Sequence, residues 1–548
     1  METIKLPFTE TTKLSITETN RRPLSETNKL HPLERLPAHF KDRDGFEISL
    51  DERPVAPDQF IDGYEATKWE VWAFWLYYVG DSGLGLFTFA PTALQNLLSQ
   101  AAGDTGLLRF AGRLRSINSI ILLSNGISFS VQVVVYLVLG SFADFGTWRP
   151  WIVIVNTAVA IAIGFGWLGI YTPDKWEYAI GLYIVGLMMY GLAASYFLAA
   201  APGLARNTPT MREHAERYNA GEISREEYDT VDSLKRNEII NMGLFYDGVG
   251  QIPLIAIGIG ILYGLHANAS TTNNNWALSV LIAWTSAYWI MTAIPWFVLE
   301  KRRPGQPLPP GKNYFTAGLW QIYRAATQIW KLKQSLAYLI GYFFLGDAFN
   351  TCFIVVSTLQ NEIQEYNIIQ ICWLSMLSFA AEAAGIYGFW SIQRRWRLST
   401  KTMVCAVAVC IVAANVYGMV GIWTDAIGFH HRWEFWLWNI WYGGMMAPWY
   451  SYSQVMISEV TPRGKMYLFY SLFNIAGYAS SFFGPLISSA IIDAAPSHNN
   501  STPFYFLTAL SIASFAVILF FVDLKKSRVE QEDFLDDERR ARLELTRN

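Results

Sequence analysis

The sequence predicts an all-α membrane protein of twelve transmembrane helices, arranged as two six-helix halves with both termini in the cytosol. Three observations carry that expectation. The 548-residue chain has 16% charged residues, where a soluble protein has about a quarter, together with 52% hydrophobic residues and a mean hydropathy of +0.21. Its Lys and Arg gather in short clusters between long apolar runs. Finally, the Gly80-Asp81 dipeptide, set in an aromatic apolar run, returns as Gly346-Asp347, and each copy is followed by Leu-Gln-Asn, at Leu94-Gln95-Asn96 and Leu359-Gln360-Asn361. The chain therefore reads as duplicated, with related acidic helices opening the two halves.

In order, residues 1–68 are polar, rich in Ser, Thr and mixed charge, and hold no apolar run long enough for a signal peptide; they read as a cytosolic tail. Residues 69–299 form the first six-helix bundle, with spans at about Trp72 to Leu98, Ile117 to Gly140, Pro150 to Tyr171, Tyr178 to Ala201, Met242 to Leu265 and Ala277 to Leu299. The loop 203–241 carries six basic and eight acidic residues and reads as a solvated helical hairpin on the cytosolic side. Residues 300–334 include the run Pro304-Gly-Gln-Pro-Leu-Pro-Pro-Gly311, which cannot continue a helix and marks the linker between halves. Residues 335–522 supply six more spans, at about 335–359, 366–390, 402–423, 433–456, 466–490 and 504–522, and residues 523–548 form a charged cytosolic tail.

Two unrelated signals set the orientation. With the N-terminus inside, the cytosolic loops hold 20 Lys or Arg and the opposite loops five, three of which are Arg109, Arg113 and Arg115 of the first loop. The N-glycosylation sequons at Asn268, Asn499 and Asn500 all fall in loops that this orientation places on the far side.

Apart from Glu434 at the edge of the tenth span, four acids lie within the spans, Asp81, Asp247, Asp347 and Glu382, and no Lys or Arg accompanies them. At about 1.5 Å of rise per residue Asp81 lies near the middle of a bilayer core about 30 Å thick, where an ionised carboxylate costs about 2.5 to 3.5 kcal/mol. Acids without basic partners suit a proton, a cation or an ammonium group better than an anion; the bland alternative is that each stays protonated and hydrogen-bonds a neighbour. Cys352, Cys372, Cys405 and Cys410 lie in apolar runs without metal-ligand or redox spacing, and the seven histidines fall outside the apolar cores. No cofactor, metal site or catalytic constellation is expected, and no nucleic-acid partner or obligate protein partner is inferred.

The turn after the second span, with Gly140, Asp144, Gly146 and Arg149, resembles the loop motif between spans two and three of the major facilitator superfamily, although Phe145 stands where the motif has Arg. That resemblance implies the major facilitator fold, in which spans one and seven face a central cavity and spans five and eight line the seam between halves. Asp81 and Asp347 then become candidates for binding a substrate ammonium group or a proton, while Asp144, Arg149, Asp247 and Glu382 become candidates for gating or for the seam.

Three stretches together look like the autophagy-related protein 22 family of fungal vacuolar amino-acid effluxers: Tyr64 to Tyr78, Ser195 to Ala205, and Ile457 to Gly464 running on to Ser480-Ser-Phe-Phe-Gly484-Pro485. The resemblance implies a secondary transporter in the vacuolar membrane that exports small neutral amino acids to the cytosol. Where the family has a basic residue late in span ten and an Asp-Lys pair early in span eleven, this chain has Gln454 and Gly477-Tyr478. A proton-coupled exporter of a metabolite or drug-like cation at the plasma membrane is the alternative within transport. A non-transporting sensor or scaffold is the alternative outside it.

Overall fold

The computed structural model describes residues 63–303, 332–363, 367–462 and 501–547, Phe145 excepted, with scattered positions in 313–330 and 469–491. The protein is mostly helical. Among the described residues eight helices are long and apolar enough to cross a membrane.

The first expected span is interrupted. Helix α1 (Lys68–Gly80) starts at Thr67, whose Oγ1 accepts the Glu70 N–H at 3.2 Å, and stops at Asp81. Gly83 follows at φ +75°, the chain makes one π-helical turn (Leu84–Phe89), and α2 (Ala90–Ala102) resumes with Pro91 in its first turn. Pro is tolerated there because its missing N–H falls among the unbonded donors of a helix start. The arginine-rich first loop is a hairpin in which β1 (Leu107–Phe110) pairs antiparallel with β2 (Arg113–Ser116).

Helices α3 (Ile117–Asp144), α4 (Arg149–Gly166) and α5 (Trp176–Leu198) follow. Short α6 (Ala201–Arg206) and α7 (Pro209–Asn219) lead into α8 (Arg225–Gly264), whose 40 residues run from the charged loop into the apolar region without a break. After α9 (Thr271–Leu299), α10 (Lys333–Ile363) passes through Asp347 unbroken. The two Gly-Asp copies thus differ in backbone: Ser82-Gly83-Leu84-Gly85 follows the first, Ala348-Phe349-Asn350-Thr351 the second, and only the first offers residues free to leave the helical region.

Helix α11 (Ile368–Trp396) opens with an Asn367/Gln370 capping box. Then come α12 (Thr400–Val420) and the tenth expected span, built as α13 (Arg432–Trp441), a π turn (Tyr442–Met446) and α14 (Pro448–Val460). The chain closes with α15 (Pro503–Phe521) and α16 (Leu524–Arg547).

One apolar core gathers the first-half helices through residues such as Phe74, Leu94, Ile163, Leu281 and Trp296, and a second gathers α10, α12, α14 and α15 through Leu345, Val356, Val407 and Leu507. Ile368, Cys372 and Ile386 of α11 belong to the first core, so the halves share packing where α8 lies along α11. Large apolar side chains such as Val298, Phe520 and Phe521 are exposed, as suits helix faces that meet lipid.

The π turn follows from close backbone packing. A Cβ at Gly443 would meet the Ser378 carbonyl of α11, and one at Gly385 would meet the backbone of Gly444. Backbone cannot rotate away as a side chain can. Gly385→Val is therefore expected to destabilise by about 3 kcal/mol, the upper part of the usual overpacking range, read as a lower thermal midpoint in detergent; an unchanged midpoint would contradict this packing.

Candidate transport site

The break in the first span is made by contact with α9. A Cβ on Gly80 would collide with Thr292 and Trp289, one on Gly85 with Thr285, and one on Gly83 with the Tyr190 ring of α5. Residues 80–85 lie this close to their neighbours because glycine recurs there. Asp81, at the end of α1, is 8% exposed, its carbonyl accepts the Tyr190 hydroxyl at 3.4 Å, and its carboxylate Oδ1 is buried without a hydrogen-bond partner. Gln251 of α8 donates from Nε2 to the Val79 carbonyl (2.9 Å) and to Asp247 Oδ1 (2.7 Å), tying α8 to the last turn of α1.

Asp247 and Glu382 lie where α8 meets α11. Gly248, next to Asp247, packs against the Phe379 carbonyl and Ala383, and the Glu382 backbone N–H lies against Gly443. Asp247 is within Coulombic range of both Asp81 and Glu382. Asp247 thus has both Asp81 and Glu382 as neighbours, and each of the three is nine-tenths buried or more. Asp347 keeps to its own half: its Oδ1 accepts the Gly484 N–H at 2.9 Å and the Thr351 hydroxyl at 3.2 Å. Gly484 is pressed so closely on Asp347 and Thr351 that a side chain there would collide with both.

Asp144 is the last residue of α3, and its side chain lies outside the described residues. Arg149, buried at the start of α4, forms an ion pair with Glu300 at the end of α9. Of the sequons, Asn268 is exposed between α8 and α9, while Asn499 and Asn500 lie outside the described residues.

The loop 203–241 differs from a solvated hairpin. Arg225, Asp229, Asp232 and Arg236 are all buried. Arg225 pairs with Asp229 (3.2 Å) and with Glu532 of α16 (3.0 Å), Arg528 of α16 pairs with Asp229 (2.9 Å), and Arg236 pairs with Asp232 (3.0 Å) and donates to the Ser458 carbonyl (3.0 Å). Ser233 and Thr400 both donate to Glu459 Oε1 at 2.6 Å. The start of α8, the end of α14 and the C-terminal helix are thus stitched together on the face that carries the charged loops. Mixed charge in a loop is normally solvated, and here the docking of α14 and α16 buries it. Gln251 and Glu70 also escaped sequence reasoning; the signal for the first was its placement one helical turn after Asp247.

The sequence pattern of the family described as "Vacuole effluxer Atg22 like" matches residues 66–532. The chain belongs to that family. The autophagy-related protein 22 of Yarrowia lipolytica is 24% identical over 475 residues, which cover 78% of this chain and 79% of that protein. Its counterpart in Neurospora crassa is 27% identical over 356 residues, covering 60% of this chain and 46% of the relative, so the chain spans about half that protein's length. Among solved structures, the human organic anion transporter MFSD10 superposes with a TM-score of 0.51 at 14% identity, over 82% of this chain and 99% of that one. The Escherichia coli fucose:proton symporter FucP gives 0.51 at 12% identity, over 82% and 97%. At such identities the likeness shows the fold, which is that of major facilitator transporters. This Atg22-like chain is an integral protein of the vacuolar membrane, and a transporter rather than an enzyme.

Proposed function

We propose that this Atg22-like transporter exports small neutral amino acids, released by degradation in the vacuole, to the cytosol, by rocking two six-helix halves around a central site. The observation that supports this reading most is a set of buried intramembrane acids with no basic residue in the spans, within a family described by vacuolar efflux. Asp81 and Asp347 are the proposed contacts for a substrate ammonium group or a proton. Asp247 and Glu382 are proposed to act at the seam, and Asp144 and Arg149 at the gate. A cationic metabolite is the second reading, favoured by the same lack of bases, because a zwitterion also brings a carboxylate that needs a donor.

Labelled leucine in proteoliposomes under an imposed pH gradient tests the reading. The wild type should accumulate leucine, and Asp81→Asn should lower the initial rate by about tenfold or more, as expected for losing a hydrogen bond to a charged group. Undiminished flux in Asp81→Asn and Asp347→Asn would remove those residues from the mechanism. A wild type that moves a cationic metabolite but not leucine, under gradients of either sign, would favour the second reading.

A further inference from the structure

We infer that the break in the first span holds a monovalent inorganic cation between the Asp81 carboxylate and the amide oxygen of Gln251, beside Asp247. Two orphaned oxygens point to it. Asp81 Oδ1 is buried with no partner, and so is Gln251 Oε1. The orientation of the Gln251 amide follows from its other bonds: Nε2 gives its hydrogens to two acceptors, the Val79 carbonyl and Asp247 Oδ1, and a flipped amide would set oxygen against both. Its Oε1 is thereby committed to accept. Both oxygens lie at the last turn of α1, because Gln251 is bonded to the carbonyl of Val79, two residues before Asp81.

The surroundings supply negative charge and no positive charge. The α1 helix ends at Gly80, so the negative end of its dipole falls at the site. Asp247 faces Asp81 from α8, and Tyr77 and Tyr190 lie near Asp81 from α1 and α5. Tyr288 of α9 and Glu382 of α11 are within Coulombic range of Asp247, and Tyr442 and Tyr450 are within range of Glu382. None of these groups is basic. Two buried acceptors without partners, set among acids and phenols with no base among them, make a site for a positive charge.

The spacing of the acids sets its charge. No group of three or more His, Cys, Asp or Glu among the described residues could hold a metal ion together. A divalent ion, which seeks several carboxylates, is therefore a poor match, whereas one carboxylate and one amide oxygen suit a sodium ion. Because Asp247 and Glu382 lie where the halves meet, charge at Asp81 would be felt across the seam. The inference extends the transport reading, yet it holds whatever the organic cargo is.

The test uses the full chain in lipid nanodiscs with no amino acid present. Trp289, one of 22 tryptophans, reports on the site, since it packs against Gly80 and its ring lies 6.4 Å from Tyr77 and 6.2 Å from Tyr190; its share of the fluorescence is the part lost in Trp289→Phe. Sodium chloride is titrated against choline chloride at constant ionic strength and pH, and pH is titrated separately without sodium. A saturable response is expected in the sodium arm; a response in the pH arm alone overturns the inference, because it shows only protonation of Asp81. The sodium response should disappear in Asp81→Asn, weaken by about tenfold in Gln251→Leu through loss of one ligand, and persist in Asn268→Gln. Thermal melting of each variant shows that it is folded, and Gln251→Leu carries the test alone if Asp81→Asn is not. No response in either arm, a response only to added amines, or a response that survives both site variants would overturn the inference. A cation response without leucine flux would instead count against the amino-acid reading alone.

Discussion

Glu70→Ala is expected to lower stability by about 3 to 5 kcal/mol, because it breaks a buried ion pair and leaves the partner charge uncompensated. Glu70 is fully buried, and its two carboxylate oxygens accept from Arg303 Nη1 and Nη2, each at 2.8 Å, in the two-pronged geometry that makes such pairs strong. Oε1 also accepts the Lys301 N–H at 3.0 Å, and Lys301 Nζ reaches the Glu65 carbonyl at 2.7 Å. One carboxylate in the first turn of α1 therefore holds the chain just beyond α9. After truncation, Arg303, with its side chain 12% exposed, loses its paired carboxylate and keeps the Tyr64 carbonyl, which its Nε reaches at 3.2 Å. The thermal midpoint in detergent should fall sharply, and trypsin should cut faster after Lys301 and Arg302. Glu70→Gln keeps the shape and loses the charge, so it should fall between the two. If all three proteins melt together, the pair contributes nothing.

Asp229→Ala is expected to be comparably severe, at about 3 to 5 kcal/mol, and for a second reason as well. The Asp229 carboxylate lies between Arg225 and Arg528, and removing it leaves two guanidinium groups facing each other where α8 meets α16. Arg225 would retain Glu532. Arg528 would have no replacement for Asp229 in the pairs described, so Arg528→Ala in the same chain should restore part of the loss. A double-mutant cycle measures this directly, with a coupling of about 0.5 to 3 kcal/mol expected for groups in one network. Additivity within about 0.5 kcal/mol would mean that α16 rests on the loop without being held by it. In a transporter that must open on this face, the same substitution should also speed labelling of a cysteine introduced at Ser458, which accepts from Arg236 at 3.0 Å.

Particular residues show how far sequence reasoning reaches. The intramembrane acids are legible because a carboxylate in an apolar run is costly wherever its helix finally packs. The duplication of Gly80-Asp81 as Gly346-Asp347 is also legible, yet it suggested an equivalence that the packing does not keep. Asp347 is bonded to Thr351 and Gly484, while Asp81 has an unbonded oxygen and lies with Asp247 and Glu382. The difference traces to Gly83 and Gly85, which let the first copy leave the helix against Tyr190 and Thr285. The charged loop 203–241 shows the converse, since residues that look solvated one by one are buried once α16 supplies opposite charges.

The sequence by itself determined that the chain is a helical membrane protein, where its apolar runs lie, and that the charges inside those runs are acidic. These follow from free energies of transfer, which depend on residue type and local spacing. Only the tertiary structure decided which acids meet, where the first span breaks, and that Gln251 and the C-terminal helix take part. Those depend on contacts between residues as far apart as Arg225 and Glu532, whose pairing is set by how whole helices pack.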